Sequence, residues 1–64
     1  MMKVNGNNYE YTGQTVQEVL EALQFRLDRI VVEYNGKILS KSDWTSTRVS
    51  AADTMEVVTF VGGG

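Results

Sequence analysis

The chain has no cysteine and no histidine among its 64 residues, and the two absences remove much of the usual side-chain chemistry. Without cysteine there is no disulfide, no thiolate nucleophile and no thiolate metal ligand. Without histidine the commonest general base and the usual zinc ligand are missing. Long apolar runs are lacking too: nothing approaches the ~20 residues of a membrane span, and the N-terminus does not have the pattern of a signal peptide. The expectation is a cytoplasmic protein with no membrane partner. Positive charge is also scarce. Six Lys and Arg against eight Asp and Glu leave a net charge of −2, and Arg26, Lys37, Lys41 and Arg48 are scattered, which argues against nucleic-acid binding. Asp43, Asp53 and Glu56 have no metal-ligand spacing and read as solvated surface, so no metal site and no catalytic residue is expected.

What is present is a compact apolar pattern and an unusual end. A hydrophobic content of 42% can supply one small core, which a domain this short and without staples requires. The strand-like run Val58-Thr59-Phe60-Val61 leads directly into Gly62, Gly63 and Gly64. Three glycines are thin and span roughly 10 Å when extended, enough to thread a narrow channel and present the Gly64 carboxylate to another protein. A carboxylate is a poor electrophile and reacts readily only as a mixed anhydride such as an acyl-adenylate. The alternative is an inert, frayed end.

Along the chain, residues 1–4 form a short strand, Asn5-Gly6-Asn7-Asn8 a hairpin turn, and Tyr9-Glu10-Tyr11 the returning strand. Thr15 and Glu18 make a Thr-x-x-Glu capping box. Val16, Val19, Leu20 and Leu23 then follow at helical offsets. The helix is expected to end near Leu23 or Gln24, with Phe25 folding back onto the core; the competing reading continues it to Leu27. Ile30, Val32 and Tyr34 share one face of a third strand. Asn35-Gly36 turns it into Lys37-Ile38-Leu39. Ser42 caps a single helical turn and Trp44 plugs the core beneath it. Residues 47–53 are loop, and residues 55–61 are the last strand.

The order ββαββ has one helix, which can cover only one face of a sheet. A crossover through that helix suits the last strand to a central place beside the first. The expected fold class is therefore α+β, a ubiquitin-like β-grasp over residues 1–61, with a mixed sheet packed on one helix and a flexible glycine tail at residues 62–64. On the last strand Met55, Val57 and Thr59 should face the helix. Val58 and Phe60 would then make an apolar docking patch on the open face beside the tail; the alternative puts Phe60 in the core and leaves Val58 isolated.

Gln14-Thr15-Val16-x-Glu18-Val19-Leu20, Val32-Glu33-Tyr34-Asn35-Gly36-Lys37-Ile38, Trp44 and Val57-Val58-Thr59-Phe60-Val61-Gly62-Gly63-Gly64 together resemble the ThiS family, the small sulfur carriers of thiamine thiazole synthesis. The resemblance covers essentially the whole chain. Gln24 stands where the family commonly has a helix-ending glycine, and Ser40 where it commonly has proline. The resemblance implies that a ThiF-type enzyme uses ATP to adenylate Gly64, that a sulfur donor protein converts the adenylate to a thiocarboxylate, and that the thiazole synthase ThiG takes the sulfur. Gly62 and Gly63 would thread the partners' active sites, and the carrier itself would bind no cofactor. The small subunit of molybdopterin synthase, another β-grasp protein ending in Gly-Gly, is the nearest alternative; length and the Asn35-to-Trp44 segment favour ThiS. A ubiquitin-like modifier and a plain interaction module are rivals of other classes.

Overall fold

The structure is a computed structural model that describes residues 1–61. Five strands and one α-helix follow in the order β1 (Met2–Val4), β2 (Asn7–Tyr9), α1 (Val16–Ala22), β3 (Ile30–Tyr34), β4 (Lys37–Leu39) and β5 (Thr54–Thr59), with 3-10 turns at Leu27–Arg29 and Lys41–Asp43. The sheet order is β2-β1-β5-β3-β4. β5 runs parallel to β1 and antiparallel to β3, and the two hairpins form the outer pairs. This is the β-grasp arrangement anticipated from the element order, with the last strand in the centre.

Both hairpins turn on an Asn-Gly pair whose two residues have positive φ: 52° and 83° at Asn5-Gly6, 51° and 86° at Asn35-Gly36. Positive φ at both central positions is what a two-residue primed turn needs to match strand twist. At the first hairpin this corrects the sequence reading. The turn is Asn5-Gly6 alone, and the returning strand begins at Asn7 rather than Tyr9. Tyr11 lies beyond the strand, yet its ring stacks on Tyr9 with centroids 5.8 Å apart.

The helix begins as its capping box requires. The Glu18 amide donates to Thr15 Oγ1 at 3.1 Å, and the Thr15 amide donates to Glu18 Oε1 at 2.8 Å. Two more amides of the first turn find loop carbonyls, Val16 to Thr47 and Gln17 to Trp44, so the helix start is pinned to the long loop before β5. The helix ends at the expected place. Gln24 adopts φ +66°, its amide reaches the Glu21 carbonyl, and the Phe25 amide reaches that of Leu20. These two bonds make a Schellman cap with glutamine in the left-handed position that usually holds glycine. Leu27, which a longer helix would include, opens the 3-10 turn instead.

One face of the sheet supplies Met2, Val4, Ile30, Val32, Met55 and Val57 to the core, and the helix closes it with Val16, Val19 and Leu20. Trp44 and Val49 fill the remaining side from the loop. Trp44 is the core plug expected of it, with its indole Nε1 donating to the Leu39 carbonyl at 3.2 Å. Among the described residues no helix is long and apolar enough to cross a membrane.

Candidate docking face and tail

β5 leads into the glycine tail, so what holds β5 holds the tail's root. On one side it pairs with β3 along its whole length, from Tyr34 opposite Met55 to Ile30 opposite Thr59. The Phe60 amide continues that register by donating to the Arg29 carbonyl at 2.8 Å. On the other side β1 pairs only with Thr54 and Met55 before it turns away. There the Asn5 side chain takes over. Its Oδ1 accepts from the Val57 amide at 2.7 Å and its Nδ2 donates to the Val57 carbonyl at 3.2 Å. A carboxamide thus substitutes for the next residue of a strand, satisfying both backbone groups of Val57. Beyond it the ladder alternation turns the Thr59 amide and carbonyl away from β3, and among the described residues they meet no partner.

The side-chain alternation on β5 follows the reading from sequence at the apolar positions. Met55 and Val57 are buried under the helix. Thr59, expected on that same side, is exposed, although Ile30 opposite it is buried in the core. Val58 and Phe60 are 57% and 41% exposed, which removes the alternative of Phe60 as a core residue. The face they share is wider than sequence reasoning found. Val31 lies directly opposite Val58, and Glu33 is paired with Glu56 on one side and Ile38 on the other. Val31 is 40% exposed and Ile38 72%. The alternation within Ile30–Tyr34 and Lys37–Leu39 already put Val31 and Ile38 opposite the core residues; only strand pairing joins them to Val58. Gly62, Gly63 and Gly64, the expected tail, lie outside the described residues.

The three carboxylates weighed as a cluster are distributed over separate elements. Asp43 ends an exposed 3-10 turn and Glu56 sits on the open face. Asp53 anchors the loop before β5. Its carboxylate accepts from the Tyr34 hydroxyl, from Asn35 Nδ2 at 3.1 Å, and from the Ser50 amide at 2.8 Å. Asn35 Oδ1 in turn accepts from the Thr54 amide. Burial pushes the Asp53 carboxyl up, but the hydrogen bonds from Tyr34, Asn35 and Ser50 outweigh it and hold the group below the usual carboxylate range. Burial, then the Asp53 bond and charge, push the Tyr34 hydroxyl well above the usual tyrosine range. This network closes the loop onto the β3–β4 turn. It is structural, and no motif in the sequence announces it.

A profile of the ThiS family matches residues 2–64. The sulfur carrier protein ThiS of Bacillus subtilis is 33% identical over the full length of both chains. The crystal structure of the thiamine biosynthesis protein ThiS from Geobacter metallireducens superposes with a TM-score of 0.79 at 31% identity, covering 98% of this chain and 97% of that one. A thiazole synthase of Paramagnetospirillum magneticum is 32% identical over 95% of this chain, a segment that makes up 19% of that protein. These matches run along the whole chain, and it belongs to the ThiS family of small sulfur carrier proteins.

Proposed function

We propose that this protein carries sulfur on its own C-terminus for thiazole synthesis in thiamine formation. The Gly64 carboxylate attacks the α-phosphorus of ATP in a ThiF-type enzyme, pyrophosphate leaves, and the acyl-adenylate forms. Hydrosulfide released by a donor protein then adds to the acyl carbon, AMP leaves, and the thiocarboxylate remains. ATP belongs to the partner's site; the carrier contributes reach and recognition. ThiG is the proposed acceptor, a reading supported by the thiazole synthase that includes a segment similar to this chain within its own length. The observation that carries the proposal is the junction at the end of β5: the glycine run follows the central strand by two residues, beside exposed Val58 and Phe60. Those two residues are the proposed docking contacts, and Gly62 and Gly63 the thin segment that enters the active site.

Incubation with ATP, the cognate adenylating enzyme and a sulfide source should replace one terminal oxygen by sulfur in the intact-protein mass. Absence of that species sinks the carrier reading. Deleting Gly64 withdraws the carboxylate by roughly 3.5 Å. A misplacement of about 1 Å can cost on the order of a hundredfold in rate, so ATP–pyrophosphate exchange should fall at least that far while the fold is unchanged.

A further inference from the structure

The asparagines of the two Asn-Gly turns both reach across to the central strand. Asn5 holds the two backbone groups of Val57, with Oδ1 accepting at 2.7 Å and Nδ2 donating at 3.2 Å. Asn35 holds the start of β5, with Oδ1 accepting from the Thr54 amide at 2.9 Å and Nδ2 donating to the Asp53 carboxylate at 3.1 Å. Asn-Gly is also the dipeptide whose backbone most readily attacks its own side chain. Glycine has no Cβ to shield its amide nitrogen, and both Gly6 and Gly36 have open space where a Cβ would stand. Among the described residues neither glycine amide donates to a backbone carbonyl. The two pairs also share positive φ at both residues. What separates them is how each carboxamide is held. The Nδ2 of Asn5 meets a neutral carbonyl. That of Asn35 meets a carboxylate, a stronger charge-assisted bond, within a network that Tyr34 and Ser50 also join.

We infer that Asn5 is a site of spontaneous deamidation, converted ahead of Asn35 because the Val57 clamp releases its carboxamide more readily. The Gly6 amide nitrogen attacks Cγ of Asn5 and gives its proton to water. Nδ2 leaves as ammonia and a cyclic succinimide closes. Water then opens the ring at one carbonyl or the other, leaving an aspartate or an isoaspartyl linkage at position 5. Ammonia cannot depart while Nδ2 is bound to the Val57 carbonyl, so conversion waits on local opening of the clamp. Asn7 and Asn8 do not compete, since each precedes a residue with a side chain and both lie in β2, paired with β1. Neither product restores the clamp. Aspartate tolerates the positive φ and can still accept from the Val57 amide, but it sets a negative oxygen against the Val57 carbonyl and has no proton for it. An isoaspartyl linkage adds a methylene to a two-residue turn matched to its strands. The inference stands apart from the carrier reading.

Two identical dipeptides in one chain supply the test with an internal reference. Full-length protein is aged in mildly alkaline buffer, folded and in denaturant. Conversion at each asparagine is followed by peptide mapping as a gain of one mass unit, with isoaspartate scored enzymatically. The ratio of the two rates in denaturant gives their intrinsic difference. In the folded protein, position 5 should outpace position 35 by about tenfold beyond that ratio, yet convert more slowly than in denaturant. Asn5→Asp, made directly, should lower the thermal midpoint by about 4–8 °C. A folded ratio equal to the denatured one, or faster conversion at position 35, overturns the inference. So does a folded protein that converts at neither position while the denatured chain converts at both. Conversion at position 5 as fast folded as unfolded overturns the gating by Val57. An Asn5→Asp variant that melts with the parent overturns the claim that the product undoes the clamp.

Discussion

The two faces of the sheet are built from the same strands, residue by alternate residue, and they have opposite surroundings. Toward the helix, Val32, Met55 and Val57 are buried with Leu20 and Trp44 in one apolar cluster. Toward solvent, their immediate neighbours Val31, Glu33, Glu56 and Val58 are all exposed. Among the described residues the apolar groups on the open face are exposed, whereas those on the helix face close the core. Burial and exposure are thereby separated by a single step along the backbone, and a substitution should disturb the core or spare it according to parity.

The sharpest test of that division is one substitution made on adjacent residues. Val57→Thr places a hydroxyl in the core with the shape of the side chain nearly kept, and should cost about 1–3 kcal/mol in denaturant unfolding. A loss below about 0.5 kcal/mol there would break the comparison. The loop network comes next. Asp53→Asn should cost about 1–2 kcal/mol near neutral pH, because it weakens charge-assisted bonds from Tyr34 and Ser50. The depressed carboxyl of Asp53 fixes the sign of the pH dependence. Its contribution is complete above the unfolded value of about 3.9 and is lost as pH falls through the lower folded value. The stability gap between parent and variant should therefore narrow only below about pH 4 in acid-titrated thermal melts. Gln24→Gly should act in the other direction, raising stability by about 0.5–1 kcal/mol by relieving the left-handed backbone at the helix cap. The smallest effect belongs to Val58→Thr, expected within about 0.5 kcal/mol of the parent. A large loss at Val58 would mean that the open face supports the fold after all.

Local patterns made the helix and the Asn35-Gly36 turn legible in the sequence, since each is specified within a few residues, and the element order made the central place of β5 legible. Thr15 and Glu18 cap as spaced, and Gln24 ends the helix although it lacks the freedom of glycine, because the Schellman bonds and the return of Phe25 fix the place. The strand at Asn7–Tyr9 was not legible. Asparagine is depleted in strands, and Asn7 and Asn8 read as turn residues until pairing with β1 claims them. The breadth of the candidate face was hidden for a related reason. The Asn35-Gly36 turn places Ile38 beside Glu33, but Val31 becomes a neighbour of Val58, and Glu33 of Glu56, only through a pairing that no local pattern encodes. The Asn5 clamp on Val57 joins residues 52 apart and is equally silent in sequence.

That clamp has a mechanical consequence. A pull on the C-terminus travels along β5, and on the β1 side the first resistance it meets is the pair of hydrogen bonds from one carboxamide. Strand β1 itself engages only two residues further back, at Met55. The side chain therefore acts as a short fuse between the tail and the first hairpin. Opening that clamp would free Val57 from the first hairpin alone: β3 still holds β5 as far as Phe60, and β1 and β2 keep every bond they make to each other.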